Sequence, residues 1–158
     1  MADNYQRILV GLDGSTIAQQ AFEEAVAVAK RNRAALFIAS IVPDNEYASV
    51  AVGASMQMID AETAEAEKRV HEATRYAEEH GVTKVVPIVR VADPRRALAE
   101  TLPVDYHIDL IMLGITGKGV IQRLLVGSVA QYVSRHATTN VMLVKQRTLQ
   151  EPVATEEK

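Results

Sequence analysis

The stretch Gly114 to Ser128, GITGKGVIQRLLVGS, is the part of this sequence that most constrains the fold. It follows a short apolar run at residues 110–113 and precedes a run of helical period, so it joins a buried strand to a helix. Glycines at Gly114, Gly117 and Gly127 let the backbone adopt a positive φ or approach a ligand closely. A helix start offers unpaired N–H groups and a positive dipole end to a phosphate. The stretch predicts a nucleotide site, with a tight crossover that holds no ligand as the alternative.

Apolar runs and helical runs alternate along the rest of the chain. Strands are predicted at residues 8–12, 35–42, 85–91, 110–113 and 141–144, and helices begin near residues 15, 55, 93 and 128. Continuous apolar strands that alternate with helices are typical of a parallel sheet covered on both faces. Right-handed crossovers then favour an α/β three-layer sandwich, Rossmann-like, with strand order 3-2-1-4-5 and four helices. Pro87 places the third strand at an edge, where its missing N–H faces solvent.

Local patterns predict how several helices begin and end. Ser15 or Thr16 is placed to cap the first helix, and Asp93-Pro94 to open the third, which is expected to end near Leu102. The second helix is expected from about Ser55 to His80, with Gly81 beyond its end. Within it, Glu65 and Arg69 form a favourable i, i+4 ion pair. Ser128 and Gln131 match an S-x-x-Q capping box for the fourth helix.

Composition narrows the class of protein. The chain has 158 residues, no cysteine, a net charge of −3 and only 4% aromatic residues. This size suits one domain, predicted at residues 1–146, followed by a polar, flexible tail at 147–158. The low aromatic content and the acidic balance argue against a nucleic-acid partner. No signal peptide or membrane span is recognisable, so we expect a cytoplasmic protein without a membrane partner.

In the predicted topology the first and fourth strands are neighbours, so two glycine-bearing loops meet at their carboxyl ends. One is Gly114 to Ser128, and the other is Asp13-Gly14-Ser15. Asp13 could accept a hydrogen bond from a ribose hydroxyl or hold a hydrated Mg²⁺, and a turn-forming role is the alternative. Lys118 and Arg123 could neutralise phosphate charge or simply be solvated.

Other ligand motifs fail on spacing. A Walker A loop starting at Gly114 would need Lys-Ser/Thr after Gly119, where Val120-Ile121 stand. A dinucleotide fingerprint starting at Gly117 fails at Gln122. His71 begins a pattern like the zinc-binding H-E-x-x-H helix, but Arg75 replaces the second histidine, so His71 is expected on the surface.

The motif residues carry a family resemblance. Gly114, Gly117, Gly127 and Ser128 match the G-x2-G-x9-G-[ST] pattern of nucleotide-binding universal stress proteins without a gap. ILVGLDGS near the start, Asp93-Pro94 and LLVGSVAQYVSRHATTNVMLVK extend the similarity to Lys145. The chain thus resembles the ATP-binding subgroup of that family.

The resemblance implies an ATP site. Asp13 would lie near the ribose or a Mg²⁺ ion, the backbone at Ile41 and Val42 would meet the adenine, and the motif residues would hold ribose and phosphates. The complete set of implied nucleotide-binding residues is Gly11, Leu12, Asp13, Ser15, Ile41, Val42, Val91, Gly114, Thr116, Gly117, Lys118, Gly119, Gly127, Ser128 and Val129. Ala92 stands where many relatives have glycine and would narrow the adenine pocket.

The resemblance also implies an assembly and a role. Family members commonly form homodimers through the last strand, here Val141 to Val144, and an apolar edge strand supports the same expectation. The expected function is an ATP-binding regulatory or stress-response protein that is not an enzyme. The alternatives are a slow ATPase, an adenylyl-transferring relative, a flavin-binding relative, and a structural dimerisation module with an empty nucleotide site.

Overall fold

The computed structural model describes residues 4–45, 51–116 and 125–147. Within these residues the strands are β1 (Arg7–Gly11), β2 (Ala35–Pro43), β3 (Val85–Ala92), β4 (Leu110–Gly114) and β5 (Asn140–Val144). The helices are α1 (Thr16–Asn32), α2 (Val52–Glu79), α3 and α4 (Ser128–His136). α3 comprises a first turn Pro94–Arg96, a π-helical segment Ala97–Thr101 and a last turn Leu102–Asp105.

The five strands form one parallel sheet in the order β3-β2-β1-β4-β5, as predicted. β1 lies in the middle, with Val10 in register with Ile38 of β2 and Met112 of β4. The central strands are predominantly apolar because both faces of the sheet are covered, and β2 carries one buried polar residue, Ser40. Pro87 lies in β3 at one edge of the sheet, which confirms the expectation from its missing N–H.

Two apolar layers hold the helices to the sheet. Phe22 and Val70, from α1 and α2, pack with Ile8 and Ile38 on one face. On the other face Leu98 and Val133, from α3 and α4, pack with Leu9 and Phe37. The arrangement is the predicted three-layer sandwich.

Several predicted helix ends are confirmed. The Ser15 hydroxyl accepts a hydrogen bond from the Ala18 N–H at 3.2 Å and caps α1. The Asp93 carboxylate accepts one from the Arg95 N–H at 3.0 Å and caps α3. Gly81 follows α2 with a φ of +95°, a conformation that L side chains rarely adopt.

Two helix bounds differ from the prediction. α2 begins at Val52 rather than near Ser55. Its first turns contain no buried residue, so no buried stripe marks the helix start in the sequence. α3 runs to Asp105 instead of ending near Leu102. In its π-helical segment the Leu102 N–H donates to the Ala97 carbonyl, five residues back. This wider turn accommodates Pro103, which lacks an N–H and whose ring would clash with a carbonyl four residues earlier in an α-helix.

The start of the predicted tail is tied to the domain. The Arg147 N–H donates to the Gln20 side chain at 3.2 Å, and the Arg147 guanidinium lies 3.3 Å from the Glu24 carboxylate. Both partners belong to α1. Residues 148–158 lie outside the described chain.

Candidate functional site

A cleft of about 510 Å³ opens at the carboxyl ends of β1, β2 and β4. The Leu12 N–H donates to the Ala39 carbonyl at 2.8 Å, so the chain leaves β1 still bonded to β2 before it turns. On the opposite side of β1, Gly114 ends β4. The cleft therefore lies where the strand order changes direction, the usual ligand position in open α/β sheets.

The first wall is the turn that leads from β1 into α1. The Asp13 carboxylate accepts a hydrogen bond from the Ser15 N–H at 2.9 Å, and Gly14 has a φ of +87°. Asp13 thus stabilises the turn between β1 and α1, which is the alternative to its predicted ligand-binding role. Asp13 is also exposed and lines the cleft.

The second wall is the start of α4. Gly127 is the N-cap residue, with φ −62° and ψ 157°, and Ser128 is the first helical residue. The predicted Ser128–Gln131 capping box is wrong, because the N-cap residue is Gly127, which has no side chain with which to cap α4. Gln131 instead donates its side-chain amide to the Val126 carbonyl at 2.8 Å. The uncapped first turn, including Val129, borders the cleft and presents the positive end of the helix to it.

Gly114 has a packing role that the glycine pattern did not distinguish from ligand contact. A Cβ atom here would lie 3.0 Å from Ile17 Cγ2, 3.1 Å from the Ile17 carbonyl carbon and 3.2 Å from the Ala18 nitrogen. The end of β4 therefore touches the first turn of α1 directly. Neither Gly114 nor Gly127 adopts a positive φ, so the conformational freedom expected of these glycines is not used.

The third wall comes from α2 and was not predicted. Glu62, Ala66 and Arg69 line the cleft together because residues spaced by three, four and seven share one helix face. Arg69 does not pair with Glu65 as expected. Its Nη1 donates to the Ser40 hydroxyl at 2.8 Å, and Ser40 is a polar residue of β2 with only 1% of its surface exposed. The signal available in the sequence was Arg69's place next to the buried stripe that contains Ala66.

Most of the nucleotide-binding residues implied by the resemblance meet at this cleft. Those that line it are Gly11, Leu12, Asp13, Ile41, Val42, Gly114, Thr116, Gly127, Ser128 and Val129. Ser15 lines an adjoining cavity of about 300 Å³. Gly117, Lys118, Gly119 and Arg123 lie outside the described residues.

Two positions near the end of β3 are separate from the cleft. Val91 is in register with Val42 but lies one strand farther from β1, and 45% of its surface is exposed. Neither Val91 nor Ala92 lines the cleft, because β2 stands between the edge strand and the crevice.

Other candidate chemistry is limited in the described parts of the chain. They contain no group of three or more His, Cys, Asp or Glu side chains arranged to hold a metal ion. His71 is exposed on α2, as expected. No helix in these parts has both the length and the apolar character needed to cross a membrane.

Comparisons with known proteins agree with this architecture. The model of the universal stress protein family matches residues 4–145. A Staphylococcus haemolyticus protein that carries the family's name is 34% identical over 141 residues, covering 89% of this chain and 85% of the relative. The solved universal stress protein UspA from Lactobacillus plantarum is 31% identical, with a TM-score of 0.84 over 90% of this chain and 99% of that one.

A further solved relative is a complex with a nucleotide. It is a universal stress protein in complex with cAMP, 29% identical to this chain, with a TM-score of 0.65 over 90% of this chain and 98% of that one. On the extent of the family match and the identity to its members, this chain belongs to the universal stress protein family.

Proposed function

We propose that this chain is an ATP-binding regulatory protein of the stress response, in which the nucleotide acts as a ligand rather than as a substrate. The observation that carries the proposal is the facing of the Asp13 turn and the uncapped start of α4 across one cleft. The α4 end favours phosphate, and the Asp13 carboxylate suits a ribose hydroxyl or a hydrated Mg²⁺. The uninterrupted G-x2-G-x9-G-[ST] spacing from Gly114 to Ser128 supports ATP as the nucleotide.

Regulation by such a ligand needs no chemical step. A nucleotide that binds only the folded state stabilises it, by about 2.7 kcal/mol at a hundred times its Kd. If two conformations bind it with different affinity, the bound fraction controls which one predominates. The fraction of protein with ATP bound would then report the nucleotide level of the cell. We propose a cytoplasmic location because that is where the protein would meet this nucleotide pool.

A second nucleotide is favoured by one observation. The 29% identical relative was solved with cAMP, so the same cleft is a candidate site for a cyclic nucleotide. A cyclic monophosphate carries one negative charge and needs no Mg²⁺, whereas ATP carries three or four and binds with the ion. Titrations with each nucleotide, with and without Mg²⁺, separate the two ligands.

We also propose a homodimer through β5. The edge strand β3 contains Pro87, which has no N–H to donate to an added strand, whereas the edge strand β5 contains no proline. Val141 and Leu143 pack inward, while Met142 is 38% exposed beside the free edge of the strand. Antiparallel or parallel addition of a second β5 would satisfy the backbone groups at that edge.

The site proposal is tested with a matched pair of variants at the N-cap of α4. Gly127→Asp and Gly127→Asn add side chains of nearly the same shape, and both residues are good N-caps. The extended backbone angles of Gly127 are allowed for either residue. Only the aspartate places a negative charge where a phosphate is proposed, so we expect Gly127→Asp to bind ATP at least about tenfold more weakly than Gly127→Asn.

Isothermal titration with Mg-ATP measures this difference directly. Equal affinities of the two variants, both close to wild type, would show that the phosphates lie elsewhere. Sustained phosphate release by wild type above the Gly127→Asp background would instead favour the slow ATPase. An intact dimer with no response to any nucleotide would favour the structural module.

A further inference from the structure

Arg69 stands at the boundary between two cavities. It lines both the main cleft and the adjoining cavity of about 300 Å³, whose other lining residues are Leu12, Gly14, Ser15, Thr16 and Gln19. Its Nη2 lies 3.0 Å from the position that a Cβ atom would take on Gly14. The guanidinium therefore lies tightly over the Asp13–Ser15 turn, beside the space proposed for the ligand.

The position of this guanidinium is fixed by a buried partner. Ser40 interrupts the apolar strand β2 with a hydroxyl that is 1% exposed, and its oxygen accepts from Arg69 Nη1 at 2.8 Å. A buried hydroxyl without a hydrogen bond is costly, so the pair holds the arginine in place as well as satisfying the serine. An arginine oriented in this way loses less conformational entropy when it binds a ligand.

Arg69 forms no ion pair with another residue in the part of the chain that the structure describes. Its anchor is a neutral hydroxyl, which leaves the positive charge intact. The facing first turn of α1 contains no acidic residue, so the helix end adds to the positive potential. The guanidinium and this helix end favour an anion on this side of the cleft, which Asp13 and Glu62 also line.

We propose that Arg69 contacts a phosphate group of the bound nucleotide and makes the cleft selective for nucleotides over nucleosides. The inference rests on the proposed nucleotide site and adds to it a residue on α2, outside the glycine motif. A guanidinium can donate two parallel hydrogen bonds to one phosphate, which lysine cannot do. Ser40 is the positioning residue that holds the donor fork.

The test compares Arg69→Met with wild type in titrations of ATP, ADP, AMP and adenosine. Arg69→Met loses the hydrogen bonds from the guanidinium to the charged phosphate, so we expect its affinity for the phosphorylated ligands to fall about ten- to hundredfold. Adenosine, which has no phosphate, should bind both proteins equally. The affinity for ATP should also depend less on salt concentration in the variant than in wild type.

Three further variants act as controls. Arg75→Met makes the same change on the same helix, at a side chain that is 78% exposed, and should leave every affinity unchanged. Arg69→Lys retains the charge without the planar fork and should show an intermediate loss. Ser40→Ala keeps the guanidinium but removes the hydroxyl that holds it, so the affinity for the phosphorylated ligands should fall by a smaller factor than in Arg69→Met. Thermal unfolding without nucleotide checks that each variant is folded.

The outcomes separate this inference from the proposed function. Wild type that binds none of the four ligands overturns both. If wild type binds ATP and both Arg69→Met and Arg69→Lys bind it as tightly as wild type does, only the role of Arg69 is overturned and the nucleotide site stands. A loss for adenosine as large as that for ATP also overturns that role, because Arg69 would then act on the nucleoside or on the shape of the cleft.

Discussion

Replacing Gly114 by alanine adds one methyl group where the end of β4 meets the first turn of α1. The new Cβ would lie 3.0 to 3.2 Å from three atoms, and two of these belong to the backbone of Ile17 and Ala18. Ordinary van der Waals contacts between such atoms are 3.4–4 Å. The helix backbone must therefore shift by a few tenths of an ångström, because it cannot rotate away as a flexible side chain would.

The cost can be worked from these contacts. Adding a methyl group to a tightly packed site destabilises a protein by about 1–3 kcal/mol. Gly114 does not have a positive φ, so alanine adds no backbone strain and recovers about 0.4–1 kcal/mol by restricting the unfolded chain. The central values of these two ranges differ by about 1.3 kcal/mol, so we expect a net loss of about 1 kcal/mol and a fall in Tm of about 2–4 °C at this chain length.

Thermal unfolding followed by circular dichroism, without nucleotide, measures the effect. Gly53→Ala is the matched control, since Gly53 lies in the exposed start of α2 and a Cβ there would meet nothing within 4 Å. This control should have an unchanged or slightly higher Tm, because alanine favours helix. A Gly114→Ala protein as stable as wild type would refute the close contact between β4 and α1.

Three further substitutions test other parts of the account. Asp93→Ala removes the side-chain cap on the Arg95 N–H and should lower the unfolding free energy by about 0.5–2 kcal/mol in urea titration. The Tyr132 hydroxyl donates to the Glu100 carboxylate at 2.9 Å, and this bond raises the pKa of Tyr132 above its ordinary value of 10.0. The folded state thus holds this proton more tightly than the unfolded chain does, so at pH 8 the Tm of wild type should exceed that of Tyr132→Phe. This difference in Tm should disappear as the pH rises through the folded pKa of Tyr132. A difference that persists at higher pH would contradict the hydrogen bond to Glu100. Met142→Lys places a charge at the free edge of β5 and should yield a monomer by light scattering, whereas an unchanged dimer would exclude that edge.

The sheet order and the location of the cleft could be predicted because they follow from patterns repeated along the chain. Five short apolar runs separated by helices, with right-handed crossovers, leave few possible strand orders. Once β1 and β4 are neighbours, the loops after them must meet at one edge. Asp13 and Ser128 could therefore be assigned to one site although 115 positions separate them in the sequence.

The role of Arg69 could not be predicted from local spacing. Glu65 is four residues away on the same helix and is an equally reasonable partner for a long cation. The choice between Glu65 and Ser40 depends on how α2 lies across β2, and Ser40 is 29 positions earlier in the chain. Helical periodicity identifies a buried face but does not say where a side chain at its border will turn.

The start of α4 illustrates a one-residue ambiguity. Gly127 and Ser128 are both common N-cap residues, and the S-x-x-Q pattern favours the second. The structure selects Gly127, whose N–H donates to the Ile115 carbonyl at 2.8 Å, while Ile115 itself donates to Val144 of β5. This chain of bonds to the sheet fixes where the helix begins, and a local motif contains no information about it.

Nucleotide released from the purified protein tests the central claim most directly. One portion of the extensively washed protein is denatured, and any nucleotide in the supernatant is identified by its mass. A second, folded portion is titrated with Mg-ATP while its Tm is measured. Our account predicts ATP in the supernatant, or a Tm that rises with ATP concentration, and a response at least about tenfold weaker in Gly127→Asp than in Gly127→Asn. Neither released nucleotide nor a shift in Tm with wild-type protein would contradict it.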